Sequence, residues 1–246
     1  MSRKIIGVLG AGEVGSAIAE IFAKKFEVQK KDLKYDELKN SKIEVLHICL
    51  PYSNKFERNV LAQILRNKPK LVIIHSTVMP GTSENIFKKS NTPTVHSPVM
   101  GTHPNLAKDI LNFKKIIGPS NKASVKLAVL HFKSIGIKTE VFNNSLESEI
   151  AKLLDTTYYG WNIIFAKLVW NLCRQSGVDF DNVYTRSNHI YNSGYSNSKP
   201  NVRRPILNYQ PGPIGGHCII PNLRILENYK NNPISKSILK INSKQL

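Results

Sequence analysis

The stretch Ile5-Ile-Gly-Val-Leu9, followed at once by Gly10-Ala-Gly-Glu-Val-Gly15, decides the fold. Its first five residues predict a short buried strand, and residues 16–25 have the apolar spacing of a helix. Glycines between a strand and a helix indicate a dinucleotide-binding turn, because they permit a tight turn, close approach of a pyrophosphate and packing of the helix on the strand. The cofactor-binding residues predicted here are Gly10, Gly12, Glu13, Val14 and Gly15.

An acidic residue follows at the distance that this turn requires. A second strand is predicted over residues 26–32, and it ends in Asp32, about 20 residues after the first glycine. An acid there accepts hydrogen bonds from the adenosine ribose and favours NAD over NADP. Lys30 and Lys31 weaken that preference, because a nearby cation could accommodate a 2′-phosphate. The alternative is that Asp32 is only a turn residue. We expect the cofactor to be NAD.

Strands and helices continue to alternate through the first half of the chain. Strands are predicted over residues 44–50 and 71–74, with a helix between them, which indicates a parallel, doubly wound Rossmann sheet over residues 1–143. Ligands bind at the carboxyl ends of such strands. We therefore expect Pro51 and Thr77 to contact the cofactor, although Thr77 could instead cap the turn that follows it. Cys49, inside an apolar strand, is expected in the core.

The second half is expected to be a smaller all-helical domain, residues 144–246, built around one long helix over about 145–176. Lys152 has apolar neighbours on this helix. Near a reacting oxygen it would stabilise an oxyanion, and the alternative is that it reaches to solvent. Gly160 lies in the middle of the helix, which predicts a close packing partner. Residues 161–169 present apolar surface for a core or a dimer contact.

A cysteine follows a run of glycines and prolines in Pro211-Gly-Pro-Ile-Gly-Gly-His-Cys218. Gly215 and Gly216 remove side-chain bulk where a substrate would approach, so we count them as substrate-binding. A thiolate can add to a carbonyl, and the resulting hemithioacetal can give up hydride to a nicotinamide. Residues 192–213 are predicted to form a loop crossing the active site. General acid–base candidates are His217 and, in a loop rich in proline and glycine, His96 and His103.

The composition limits the range of partners. The chain has 35 lysines and arginines against 17 acids, a formal charge of +18. Because the lysines are spread evenly, we expect no nucleic-acid partner, only compatibility with an anionic ligand. No apolar run approaches the roughly 20 residues that cross a bilayer. Three cysteines do not make a disulfide framework, and no spacing indicates a metal site. We expect a cytoplasmic protein with a small-molecule substrate.

Four motifs together carry a resemblance: Gly10–Gly15, Ser76-Thr-Val-Met-Pro-Gly-Thr82, Glu149-Ile-Ala-Lys152 and Pro211–Cys218. In their order and spacing the chain resembles the UDP-glucose/GDP-mannose dehydrogenase family, and most closely the branch that oxidises N-acetyl-hexosamine nucleotides. The resemblance implies two NAD-dependent oxidations of a sugar alcohol to a carboxylate, through a thiohemiacetal and a thioester on the cysteine. It also implies a homodimer in which the long helix pairs with its two-fold mate.

Carried over by position, the resemblance implies that Cys218 is the nucleophile and Lys152 the oxyanion stabiliser. Thr77 would place the nicotinamide, the substrate or the catalytic water. Arg203 or Arg204 would be the arginine that contacts substrate.

The chain departs from the family pattern at several polar positions. Thr156 stands where the family has an asparagine, and Asn222, which cannot act as a base, stands where it has an aspartate. Val99 replaces a glutamate, and Lys167-Leu168 replaces an Asn-Glu pair. We expect a short form without the C-terminal nucleotide-binding domain.

Three hypotheses follow for the function. The first is an NAD-dependent oxidoreductase acting on a CH–OH or aldehyde group of a small, anionic or sugar-like substrate, with Cys218 and Lys152 at the site and Thr156, His217 and Asn222 beside them. The second is a two-electron dehydrogenase similar to 3-hydroxyacid and 6-phosphogluconate dehydrogenases, which would use Lys152 and not need Cys218. The third is a degenerate, non-catalytic NAD-binding protein.

Overall fold

The computed structural model describes residues 4–101 and 104–244 of the chain, so His103 lies outside the described residues. The chain divides into two compact units, the first ending at Lys152 and the second beginning at Leu153. The boundary expected after residue 143 lies just before the long helix, whereas this division falls inside it. The helix Ser145–Ser176 contributes its first residues to the first unit and the rest to the second.

The first unit is built on an eight-stranded sheet in the order β3-β2-β1-β4-β5-β6-β7-β8. Neighbouring strands are parallel except for β2–β3 and β6–β7, which are antiparallel. The chain therefore winds outward from β1 in both directions, which confirms the predicted doubly wound sheet. The strands are β1 (Ile5–Leu9), β2 (Glu27–Asp32), β3 (Tyr35–Asp36), β4 (Val45–Ile48), β5 (Leu71–Ile74), β6 (Thr94–His96), β7 (Lys115–Pro119) and β8 (Thr139–Val141).

Helices cover both faces of this sheet. One apolar cluster joins the sheet to α1, α4 and α5, and a second joins it to α2 and α3. Strand β5 reads as a continuous apolar run because alternate side chains enter the two clusters: Ile73 lies in the first, and Val72 and Ile74 in the second. The helices are α1 (Glu13–Ala23), α2 (Phe56–Asn67), α3 (Thr82–Ser90), α4 (Leu106–Asn112) and α5 (Lys122–Lys133).

The second unit is helical, as predicted. Its core includes Ile164 of the long helix and Leu223 and Ile238 of two later helices. At Gly160 a Cβ atom would lie 2.9 Å from Cγ2 of Ile219, which confirms the close packing partner expected there. The elements are α6 (Ser145–Ser176), a π-helical turn (Asp181–Arg186), α7 (Ser187–Tyr195), a 3₁₀ turn (Pro200–Val202), α8 (Ile219–Lys230) and α9 (Pro233–Ser243).

Two predictions of loops were wrong. His96 ends strand β6, where it pairs with Gly118 of β7, so it is a buried sheet residue. The proline and glycine that follow it had favoured a loop, but the antiparallel partner extends the sheet to this point. The segment 192–213 begins inside α7 and contains the 3₁₀ turn, so only part of it is irregular. In the part of the chain that the structure describes, no helix combines the length and apolarity needed to cross a membrane.

Candidate active site

The glycine turn after β1 has the geometry that a dinucleotide requires. Gly10 has a φ of +92°, and a Cβ there would lie 2.9 Å from the carbonyl of Cys49. At Gly15 a Cβ would lie 1.8 Å from the carbonyl oxygen of Gly10, so helix and turn can only meet without a side chain. At Gly12 a Cβ would meet nothing within 4 Å. The fold therefore requires glycine at positions 10 and 15, whereas Gly12 borders open space.

Asp32 joins the end of β2 to this turn. Its Oδ2 accepts a hydrogen bond from the backbone N–H of Ala11 at 2.6 Å, and its Oδ1 accepts one from the N–H of Leu33 at 2.7 Å. These two backbone donors lower the pKa of the Asp32 carboxyl. An ionised carboxylate thus lies beside the open turn, which fits the ribose hydroxyls of NAD.

One of the two cations expected to weaken the preference for NAD, Lys31, has an acidic partner. Lys31 Nζ lies 2.9 Å from Oδ2 of Asp36, and Arg66 Nη2 lies 2.9 and 2.8 Å from the two oxygens of the same carboxylate. Burial raises the pKa of Asp36, but the hydrogen bonds from Lys31 and Arg66 outweigh it, so the pKa falls overall. The charge of Lys31 is therefore offset within the sheet edge.

The remaining cofactor candidates surround the carboxyl ends of β1, β4 and β5. Glu13 and Val14 form the first turn of α1, whose N-cap is Gly12, and helix N-termini favour anions. Pro51 is exposed beyond the end of β4, and Thr77 is half-buried after β5. Because β1 and β4 are the strands from which the sheet winds in opposite directions, this edge is the switch point where ligands bind in such folds.

Glu149 holds the loop that contains Thr77, a role that the sequence did not suggest. This buried glutamate near the start of α6 accepts hydrogen bonds from the backbone N–H groups of Gly81 at 2.6 Å and Ser83 at 2.9 Å. It therefore caps the N-terminus of α3. Burial raises its pKa although these hydrogen bonds oppose the shift. The one sequence feature that could have pointed to this role is an acidic residue three positions before Lys152 on a mostly apolar helix.

Lys152 is half-buried near a second lysine that the sequence also did not single out. Lys115 is buried and donates hydrogen bonds from Nζ to the carbonyl oxygens of Ser97 at 2.9 Å and Pro98 at 2.7 Å. Burial lowers the pKa of Lys115 to about 7, and the charge of Lys152 contributes to the shift. Burial likewise lowers the pKa of His96 to about 3. Burial and the neighbouring lysine charges thus favour the neutral forms of Lys115 and His96.

Three more histidines form a buried chain, which we name the histidine chain: His47, His75 and His131. His75 Nδ1 lies 2.8 Å from the carbonyl oxygen of Ser97 and must donate, since a carbonyl only accepts. His75 Nε2 then accepts from His47 Nδ1 at 2.8 Å, and His47 Nε2 accepts from His131 Nε2 at 3.0 Å. In this order His75 and His47 each donate from one ring nitrogen and accept at the other, so both rings are neutral. Burial lowers the pKa of all three.

Cys218 is the exposed cysteine of the second unit and the N-cap residue of α8. Gly215, Gly216 and His217, which precede it, are also exposed, and Gly216 has a φ of +79°. The other two thiols differ: Cys173 is buried, and burial raises the pKa of the half-buried Cys49 to about 12.

Thr156 and Asn222, expected near the nucleophile, bond to each other. Asn222 Nδ2 donates to Thr156 Oγ1 at 3.3 Å, and both residues are buried between α6 and α8. Thr156 Oγ1 in turn donates to the carbonyl oxygen of Leu153 at 3.1 Å. The pair links two helices one turn beyond Cys218, and neither side chain is a base.

The two arginines proposed for substrate binding have different surroundings. The guanidinium carbon of Arg204 lies 3.6 Å from the ring centroid of Tyr191. The backbone of Arg204 exchanges two hydrogen bonds with the side chain of Asn192, at 2.8 and 2.9 Å. Arg204 is therefore held against α7, whereas the exposed Arg203 is the better candidate for a ligand contact.

Comparison with known proteins places this geometry in context. No family model matches the chain. A UDP-N-acetyl-D-mannosamine dehydrogenase from Methanococcus vannielii is 30% identical over 178 residues, which cover 71% of this chain. The alignment spans 39% of that relative's length.

Solved structures share the fold. A UDP-D-ManNAc dehydrogenase from Pyrococcus horikoshii superposes with a TM-score of 0.82 at 20% identity, covering 98% of this chain and 68% of that one. The 3-hydroxyisobutyrate dehydrogenase of Mycobacterium tuberculosis superposes with a TM-score of 0.72 at 13% identity, covering 99% of this chain and 94% of that one. This chain and both of these structures share the Rossmann fold, which fits the expected cofactor, NAD. The chain is thus a homologue of UDP-N-acetyl-D-mannosamine dehydrogenases over part of their length, which confirms its resemblance to the UDP-glucose/GDP-mannose dehydrogenase family.

Proposed function

We propose that the protein is an NAD-dependent oxidoreductase that acts on a CH–OH or aldehyde group of a small, anionic or sugar-like substrate. The observation that carries the proposal is Cys218, exposed at the N-cap of α8 behind two exposed glycines. A cysteine that served only to fill the core would be buried, as Cys173 is. The open glycine turn of the first unit supports the cofactor half of the proposal.

The cofactor would be held by the backbone of the glycine turn and by Asp32 at the adenosine ribose. When bound, NAD accepts hydride from the substrate carbon. Glu13 and Val14 at the start of α1, and Pro51 and Thr77 at the strand ends, would line the same edge of the sheet.

The protein's own groups would act on the substrate in sequence. Oxidation of the alcohol leaves an aldehyde, and the Cys218 thiolate adds to its carbonyl carbon to form a thiohemiacetal. Lys152 donates a hydrogen bond to the oxygen on which negative charge develops. Loss of the hydroxyl proton, and of hydride to a second molecule of NAD, would leave a thioester. Water then attacks the thioester carbon, which releases a carboxylate and restores the thiol. His217 is the base proposed for this water, because Asn222 cannot accept its proton.

The substitution Cys218→Ala tests the covalent step. UDP-N-acetyl-D-mannosamine is the first substrate to try, since it is named for the relatives, and NADH formed per molecule consumed is counted spectrophotometrically. The wild type is expected to yield two NADH, whereas Cys218→Ala stalls at one or none because no thioester can form. Cys173→Ala serves as a control that leaves the count at two. One NADH in the wild type, unaffected by Cys218→Ala, rejects the mechanism.

A second candidate is a two-electron hydroxyacid dehydrogenase. The observation in its favour is the fold likeness to 3-hydroxyisobutyrate dehydrogenase, which covers nearly all of both chains. Lys152 would then transfer the proton, and Cys218 would be dispensable, so the same NADH count separates the two candidates. Binding of NAD without turnover of any substrate would instead indicate a non-catalytic protein.

We further propose a homodimer formed through α6. Six regularly spaced apolar residues on this helix, which we name the α6 seam, are each 39% or more exposed. Their spacing alternates between four and three residues, the pattern with which two helices pack along a shared seam. In a cytoplasmic protein such a stripe is expected to be covered. The residues are Leu154, Tyr158, Trp161, Phe165, Leu168 and Leu172.

A charge in the middle of the α6 seam is expected to abolish the dimer. Phe165→Glu would place a carboxylate in the apolar interface, so sedimentation velocity should show a monomer where the wild type sediments as a dimer. Ile190→Glu is the matched control, because Ile190 is an equally apolar residue of α7, 75% exposed and outside the seam. A monomeric wild type, or a Phe165→Glu variant that still dimerises, contradicts the proposal.

A further inference from the structure

The segment 205–214, which we name the arm, leads directly into Gly215-Gly-His-Cys218. It runs beside the second half of α6, and a cavity of about 490 Å³ is lined by both. Tyr159 and Ile163 of α6 line one side, and residues 206–210 of the arm line the other. Because open space separates residues 206–210 from the helix, the position of this part of the arm depends on specific contacts, whereas Ile214 at its end is buried in the helical core.

Lys167 supplies such contacts in the middle of the arm. Its side chain is 3% exposed, and Nζ donates hydrogen bonds to the carbonyl oxygens of Gly212, at 2.6 Å, and Gln210. The ammonium also lies 5.5 Å from the ring centroid of Tyr209, which stacks on Trp170 with centroids 4.1 Å apart. Burial lowers the pKa of Lys167, and a buried cation needs partners of this kind.

Two further hydrogen bonds anchor the arm, one before and one after the carbonyls that Lys167 contacts. Tyr184 Oη accepts a hydrogen bond from the N–H of Leu207 at 3.3 Å, and Asn242 Oδ1 accepts one from the N–H of Ile214 at 2.6 Å. Between them, Gly212 adopts a φ of +79°, so the backbone turns at the residue whose carbonyl Lys167 holds. The turn bonded by Lys167 thus lies between these two anchors and shortly before the loop Gly215–Cys218.

We propose that Lys167 is a positioning residue for Cys218: it fixes the turn at Gly212 and thereby the path of the loop that presents the thiol. This inference rests on the proposed function in which Cys218 is the nucleophile. Lys167 touches no reacting atom.

The test compares Lys167→Met with Lys167→Arg. Met keeps the length and apolar stem but removes every donor, whereas Arg retains donors for both carbonyls. Hydrogen exchange of peptides spanning 205–218 is expected to be about tenfold faster in Lys167→Met, while exchange in α1 and α3 stays unchanged. Under the proposed reaction kcat falls about tenfold or more with KM nearly constant, since small misplacements of a nucleophile cost rate. Lys167→Arg should restore most of both quantities.

Labelling of the buried Cys173 reports whether each variant is folded. If Lys167→Met labels there as fast as denatured protein, Lys167→Gln, which keeps one donor, replaces it. Unchanged exchange over 205–218 in the folded variant overturns the inference. So does a fall in kcat that Lys167→Arg leaves uncorrected. The exchange measurement needs no turnover, so a wild type without activity would reject the proposed function and leave the positioning role to be decided by exchange alone.

Discussion

Urea unfolding of this protein is expected to become progressively easier as the pH falls below about 6.5. Four buried histidines are neutral in the folded state, namely His47, His75, His96 and His131. Burial lowers the pKa of each; for His96 and His131 it falls to about 3. In the unfolded chain the same rings titrate at their ordinary pKa of 6.5.

The direction follows from proton uptake. Above pH 6.5 both states carry neutral histidines, so these groups give no pH dependence. Below it the unfolded chain binds protons that the folded chain refuses, so the free energy of unfolding falls with pH until the folded pKa is reached. Each ring contributes at most ~1.4 kcal/mol per pH unit, and four contribute ~5 kcal/mol per unit. Since whole domains are stable by ~5–15 kcal/mol, we expect unfolding between about pH 5 and 4.

Urea midpoints between about pH 8 and 5 check this expectation. The variant His131→Phe removes the end of the histidine chain and keeps an aromatic ring against Phe22, whose ring centroid lies 4.5 Å from that of His131. It should be less stable at pH 8, because His47 loses its donor, but its pH slope should be shallower by ~1.4 kcal/mol per unit. A free energy of unfolding that stays constant from pH 7 to 5 contradicts neutral burial of the rings.

Gly15→Ala is expected to unfold or severely destabilise the first unit, whereas Gly12→Ala is expected to spare the fold. The Cβ of Ala at position 15 would lie 1.8 Å from a backbone oxygen, and the turn cannot move without displacing β1 or α1. We expect a loss of ~3 kcal/mol or more. At position 12 the new methyl group enters open space, so stability should change by less than ~1 kcal/mol.

The two variants separate the structural and ligand-binding duties of the motif. Calorimetric titration with NAD should show Gly12→Ala binding about tenfold or more weakly, because its methyl group occupies the approach of the pyrophosphate. Thermal melts without NAD should show the reverse: Gly15→Ala should melt well below the wild type, whereas Gly12→Ala should melt close to it. Equal NAD affinity in Gly12→Ala and the wild type contradicts the placement of the cofactor at this turn.

Local patterns in the sequence were sufficient for the strands around the glycine turn and for the long helix, but not for β6, where a loop had been predicted. The strand Ile5–Leu9 and its glycine motif were predictable because the spacing of the glycines reflects a backbone requirement seen at Gly10 and Gly15. Both ends of α6 were predictable too, because its apolar periodicity is continuous and Gly177 follows its last residue.

Contacts between distant residues escaped the sequence. His47, His75 and His131 are separated by 28 and 84 residues in their pairings, so only the folded sheet brings them together. Lys115 and Lys167 looked like ordinary surface lysines in a lysine-rich chain, and only their burial beside backbone carbonyls distinguishes them. Polar side chains that bond to a distant backbone carry no periodic signal, which is why Glu149 was recognised only as the first residue of the motif that contains Lys152.

Glu149 is a residue whose structural role could be mistaken for a catalytic one. Its carboxylate accepts hydrogen bonds from the amide groups at the start of α3. Glu149 itself lies on α6, which carries Lys152 one turn later. An activity screen alone would rank this acid with the groups that meet substrate. Its influence would instead be structural, because its hydrogen bonds hold the segment that bears Thr77 to the helix that carries Lys152.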